Sequence, residues 1–185
     1  IISMLEKHAC CNRYSFMHNG DLEDINDEIL KKYFGGELNI KGPNVSCSYK
    51  HFLIYCELQK DAKNKIFLVL EDDIYLSKNF CSQLNIIKKE IEERLLNNFI
   101  ISLEESNLKY VKNSVRKKNI HLYKQEHGRM AGAYLVDKTA AINMIKEIEA
   151  HKFNLPIDWF HNYCSDNGII NIFWAQPAIA IQGSL

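Results

Sequence analysis

The chain has 185 residues, 46% of them hydrophobic and 25% charged, and its 23 basic and 23 acidic side chains cancel to a formal net charge of zero. That apolar content excludes an intrinsically disordered chain, and the balanced charge gives no broadly basic face, so no nucleic-acid partner is expected. No stretch approaches the roughly 18 uninterrupted apolar residues of a membrane span and no signal peptide is visible; the length predicts one cytoplasmic domain over residues 1–185.

The opening "IISMLEKHACC" reads as the later part of an amphipathic helix whose upstream sequence is absent. A helix is predicted over 48–60, and the polar link "QKDAKNK" leads into an apolar strand at 66–70 that ends on Glu71, Asp72 and Asp73. Phe80, Leu84, Ile87, Ile91 and Leu95 then recur at helical spacing, with Lys88, Lys89, Glu92 and Glu93 forming the solvated face. A strand at 99–103 is followed by the charged, aperiodic segment 104–118, read as a mobile surface loop or lid. A weaker strand at 120–123 and a clear one at 133–136 follow. Asp137 is a natural N-cap for a helix that turns Ala141, Ile142, Ile145 and Ile148 inward, and a last strand is predicted at 169–174. Continuous rather than alternating apolarity suits parallel strands covered on both faces. The predicted class is therefore α/β, a mostly parallel sheet flanked by helices.

Six cysteines (Cys10, Cys11, Cys47, Cys56, Cys81 and Cys164) show neither C-x-x-C spacing nor a dense framework. They read as reduced, partly buried thiols, and the spacing argues against zinc.

The acidic triplet carries the chemistry. Side chains alternate along a strand, so Glu71 and Asp73 share one face and Asp72 points the other way. Ligands of open α/β sheets gather at strand carboxyl ends, and two oxygen ligands with an open side suit a hard divalent ion that also holds a phosphate.

Four stretches, in order, resemble glycosyltransferase family 25, which includes bacterial lipooligosaccharide galactosyltransferases. "VSCSYKHFLIY" (45–55) is similar to the family's G-C-x-x-S-H-x-x-x-W segment, and "FLVLEDDIYLS" (67–77) to its I-L-E-D-D strand end. "GAYLVDKTAAINMI" (132–145) resembles G-x-x-x-Y-x-I-S-x-x-A-A, while "LPIDWF" (155–160) and "QPAIAIQGS" (176–184) resemble the closing P-V-D and P-x-x-x-Q elements. "YSFMHNGDLEDI" (14–25) lines up with the family's second strand and the turn after it. The chain departs from the family pattern at Asn44, Ser46 and Lys50, and the family's opening strand is missing.

The resemblance implies a GT-A-type, Rossmann-like domain lacking its first strand at the amino end. It implies an inverting, metal-dependent transferase that moves a hexose, galactose from UDP-galactose, to a terminal sugar of bacterial lipooligosaccharide. Mn²⁺ or Mg²⁺ would sit on Asp73 with Glu71, and Glu71 or Asp72 would reach the ribose of the UDP-sugar. His51, Gly132 and Gln182 stand at the family's donor-binding positions, although a lone helical histidine or a glycine in a strand also serves plain packing. Asp158, just after the extended Leu155-Pro156-Ile157, is the candidate base for the acceptor hydroxyl, with Asp166 its rival. Trp159 and Trp174 are candidate sugar-stacking rings, and Tyr134 reads as core. The partners implied are a nucleotide-sugar donor, a glycolipid or oligosaccharide acceptor, and peripheral contact with the inner membrane surface. A family member that binds sugar without transferring it is the main alternative, and a glycoside hydrolase the lesser one.

Overall fold

The apolar runs become strands sandwiched between helices. The computed structural model describes residues 2–8, 14–106 and 108–183. Its first half contains α1 (Ile2–Leu5), α2 (Asp27–Tyr33), α3 (Pro43–Lys60), β1 (Ile66–Leu70), β2 (Ile74–Leu76), α4 (Phe80–Glu93) and β3 (Phe99–Ser102). The second half adds β4 (Leu122–Gln125), β5 (Ala133–Asp137), α5 (Lys138–His151), α6 (Ile157–Asp166), β6 (Asn171–Ala175) and β7 (Ala180–Gln182).

Five strands form the main sheet in the order β1-β5-β3-β6-β4, and β2 pairs with β7 in a separate two-stranded ribbon. Only β3 and β6 pair in parallel; β1 with β5, β5 with β3, and β6 with β4 are antiparallel. The mostly parallel sheet expected from the sequence is therefore corrected to a mostly antiparallel one. The cause is that continuous apolarity reports burial on both faces, not strand direction. β1, β3 and β6 nevertheless run the same way, so their carboxyl ends share one edge of the sheet, and β5 begins there.

Both faces are covered. Val69, Ile100, Tyr134, Val136, Ile172 and Trp174 pack with residues of α3, α5 and α6 in one core. The alternate residues Phe99, Ile101, Ala133, Leu135, Phe173 and Ala175 pack with Phe80, Leu84, Ile87 and Ile91 of α4 in the other. Pro43 starts α3 in the first-turn position where its missing N–H costs nothing. The buried residues Val45, Ser48, Phe52, Tyr55 and Leu58 follow at helical intervals. Asp137 does cap α5, accepting from Ala140 N at 3.0 Å, and also accepts from Asn98 N (2.9 Å) and Phe99 N (2.8 Å). One carboxylate thus ties the start of α5 to the start of β3.

Other expectations shift. Residues 14–25 form no strand, and the amino-terminal helix is the single turn α1, with residues 9–13 outside those described. Segment 104–118 contains one short 3₁₀ turn, Asn113–Val115, and no strand or α-helix among its described residues. Cys47, Cys56 and Cys164 are free thiols, whereas Cys81 is disulfide-bonded, which corrects the reading of six reduced thiols. Cys10 and Cys11 lie outside the described residues. No helix among the described residues is long and apolar enough to cross a membrane.

Candidate active site

The acidic triplet is a turn between two strands. Glu71 N still donates to Gly132 O at 2.7 Å, then the chain bends through Asp72 and re-enters β2 at Ile74. Asp72 is exposed, while Glu71 and Asp73 are half-buried. β2 pairs with β7 in a register that sets Ile74 opposite Gln182. Gln182 Nε2 therefore donates to Asp73 Oδ2 at 3.2 Å, and Gly183 N donates to Asp73 O at 2.8 Å.

Gly132, at the threshold of β5, lets two acids close in. A Cβ there would stand 2.9 Å from Ile74 Cδ1, 3.2 Å from Glu104 Oε2 and 3.3 Å from Glu71 Oε2. Glu104, just after β3, is fully buried; its Oε1 accepts from Ala133 N at 2.8 Å and its Oε2 has no hydrogen-bond partner. Burial pushes the Glu104 carboxyl up to about 7, and the charges of Glu71 and Asp73 add to the rise. The sequence reading placed Glu104 in the charged surface segment 104–118. Yet its signal was present: "ISLEE" repeats the grammar of "LVLEDD", an apolar strand that ends on acids.

On the other side of Glu71 lies a buried polar chain. His51 Nε2 is 3.4 Å from Glu71 Oε1, and Cys47 Sγ is 3.5 Å from the same oxygen. Hydrogen bonding from the His51 ring holds the Glu71 carboxyl below its ordinary value. Burial, reinforced by the Glu71 charge, pushes the Cys47 thiol up to about 12. His51 Nδ1 meets Tyr134 Oη at 2.5 Å, Tyr134 Oη meets Tyr55 Oη at 3.1 Å, and Tyr55 Oη meets His161 Nε2 at 2.6 Å. Burial raises both tyrosines far above their ordinary values and drives His161 well below its own, so all three are neutral. Tyr134 is core, as expected, and also a polar link.

These segments meet at one pocket of about 160 Å³, whose lining includes Asn44, Cys47, Glu71, Gly132, Asp158 and Gln182. Asp158 lies inside the first turn of α6, which is capped at Pro156, so it is not the cap of that helix. Asp72, Asp73 and Glu104 are not among the pocket residues, and His51, 3% exposed, does not line it either. Trp159 is 62% exposed beside Asp158, whereas Trp174 is buried, donates Nε1–H to His127 O at 2.8 Å and carries the Arg129 guanidinium over its ring. The rival Asp166 is exposed, pairs with His127 at 3.0 Å and lies outside the pocket; its turn-like surroundings are the end of α6.

Glu71 and Glu104 set carboxylate oxygens beside Gly132, and the orphaned Oε2 of Glu104 is a buried polar atom that a cation would satisfy; Asp73 does not complete a three-ligand cluster with them among the described residues.

No curated protein matches the chain. The family model for glycosyltransferase family 25 (LPS biosynthesis protein) matches residues 15–161.

Proposed function

The chain belongs to glycosyltransferase family 25, and from that premise we propose that it transfers a hexose, galactose from UDP-galactose, with inversion onto a terminal sugar of lipooligosaccharide. The observation that carries this reading is the convergence of Glu71, Gly132, Asp158 and Gln182 on one opening at the carboxyl edge of β1 and β3. Four separate stretches of chain supply them, and a merely solvated strand end has no reason to gather them.

Asp73 and Glu71 would hold Mn²⁺ or Mg²⁺, and such an ion neutralises a diphosphate leaving group. Gln182 fixes one Asp73 oxygen by its hydrogen bond. The missing side chain of Gly132 admits the donor's reacting end. Asp158, across the pocket, takes the proton of the acceptor hydroxyl as that oxygen attacks the anomeric carbon. Trp159 offers an exposed ring face to the acceptor sugar one residue away. His51 acts from behind Glu71 by orienting its carboxylate. The pocket, about 160 Å³, is smaller than the roughly 300–1,000 Å³ of ordinary ligand sites. It takes the diphosphate-sugar end only, and the nucleoside lies along the neighbouring surface, where the exposed Asp72 is within the chain's reach of a ribose.

The test is calorimetric titration of UDP with and without Mn²⁺, followed by product analysis with UDP-galactose and a lipooligosaccharide acceptor. Mn²⁺-dependent UDP binding and a β-linked product from the α-linked donor support the reading. UDP binding without turnover would leave a sugar-binding member of the family, and no UDP binding would remove the donor site.

A further inference from the structure

We infer that Cys47 Sγ, His51 Nε2 and Glu71 Oε1 form a binding site for a borderline divalent cation of the Zn²⁺ class, separate from the hard oxygen site on the other face of Glu71. The three atoms lie within 4.8 Å of one another and belong to two rigid elements, α3 and the end of β1. Cys47 and His51 are four residues apart, one helical turn, so both side chains leave the same face of α3.

Two of the three ligand-to-ligand edges match a tetrahedron, and the third, between Cys47 and His51, lies within 4.8 Å. Zinc bonds of about 2.3 Å to sulfur and about 2.0 Å to nitrogen and oxygen put tetrahedral edges at about 3.5 Å for S to O and about 3.3 Å for N to O. The observed edges are 3.5 Å for Cys47 Sγ to Glu71 Oε1 and 3.4 Å for His51 Nε2 to Glu71 Oε1. The fourth corner is left to the pocket, because Cys47 and Glu71 line it while His51 is buried and does not.

The surroundings fit as well. A metal-bound imidazole needs a partner on its other nitrogen to fix the ring and its tautomer. His51 Nδ1 has one in Tyr134 Oη at 2.5 Å, itself tied to Tyr55 and through it to His161. Without the cation, His51 Nε2–H donates to Glu71 Oε1; on binding, that proton is released to solvent, Nδ1–H is held by Tyr134 Oη, and the cation takes the place of the Nε2–H···Oε1 bond. The ligand chemistry selects the ion: thiolate and imidazole suit Zn²⁺ or Co²⁺, whereas Mn²⁺ and Mg²⁺ favour the oxygen side. On binding, the Cys47 thiol gives its proton to solvent. The absence of C-x-x-C spacing argued against zinc, but that argument covers only all-cysteine sites. Here the ligands come from a helix and a strand end.

The experiment titrates the metal-free full chain with Co²⁺, whose bond to a thiolate gives a sulfur-to-metal charge-transfer band in the near ultraviolet, and then displaces it with Zn²⁺. The expected result is a band that saturates at one equivalent, is abolished in Cys47→Ser, is weakened in Glu71→Gln, and persists in Cys56→Ser, a free thiol of the same helix. Circular dichroism checks that each variant is folded, and Cys47→Ala replaces the serine variant if that one is not. No saturable band in the wild-type chain, or a band that survives loss of the Cys47 sulfur, overturns the inference. The transferase reading fails separately: it predicts that Asp73→Asn loses Mn²⁺-dependent UDP binding, while the Co²⁺–thiolate band of that variant is unchanged.

Discussion

Gly132 lies against Glu104 so closely that a methyl group on its Cα would stand 3.2 Å from the Glu104 Oε2 oxygen. The absent side chain leaves a buried acid with one oxygen unsatisfied and its carboxyl raised to about 7 from 4.5. Without a divalent cation, the folded protein holds this proton until about pH 7, while the unfolded chain releases it near 4.5. Between those values the native state binds more protons, so stability falls as pH rises and then levels off. The shift corresponds to roughly 3 kcal/mol at most. Glu104→Gln should flatten this slope and be the more stable protein at pH 8, as urea denaturation at pH 5 and pH 8 will show.

Asp73→Asn keeps the size of the side chain, and the backbone bond from Gly183 to Asp73 O does not involve the carboxylate. The variant should therefore melt within about 1 kcal/mol of wild type, yet lose Mn²⁺-dependent binding of UDP. Unchanged UDP affinity by calorimetry removes Asp73 from the metal site.

Asp158→Asn should lower kcat by about 10²-fold or more with donor affinity nearly unchanged, the pattern of a lost base rather than a lost binding group. Helix capping does not confuse the result, because Pro156 and not Asp158 occupies the cap of α6. Near-normal turnover in this variant would exclude Asp158 as the base and leave Glu104, the buried acid across the site, as the group to test.

Tyr134→Phe removes a hydroxyl shared by His51 and Tyr55 in a fully buried setting. The orphaned partners should cost about 1–3 kcal/mol. Tyr163→Phe, which loses one exposed bond to Glu147, should stay within about 0.5 kcal/mol. Denaturant midpoints of the two variants, measured side by side, test whether the buried chain is a structural unit.

The parts of this molecule legible in sequence are those set by local pattern. The 66–70 run became β1 and Asp137 capped α5 as expected, whereas the triplet, read as the continuation of a strand, is a turn in which Asp72 is exposed and Glu71 and Asp73 are half-buried. Strand direction was not legible, since Ala133–Asp137 is equally apolar whichever way it runs. β2 and β7 escaped notice because three-residue strands carry no period. Cys47 and Glu104 were undervalued for a related reason: a single polar residue acquires its role from neighbours 24 or more residues away.

Asp73 and Gln182 meet across 109 residues of chain, through the short ribbon of β2 and β7. During synthesis, therefore, the five-stranded sheet can be completed while Gln182 has yet to emerge. Once the sheet has formed, only the short connections from β1 to β2 and from β6 to β7 remain to be ordered, so the ribbon adds little further entropic cost and rests on a three-residue pairing. The brace on Asp73 thus matures after the body of the fold, and it is the first part to open when the ribbon frays. Such an opening would disable the site while circular dichroism still reports a folded protein.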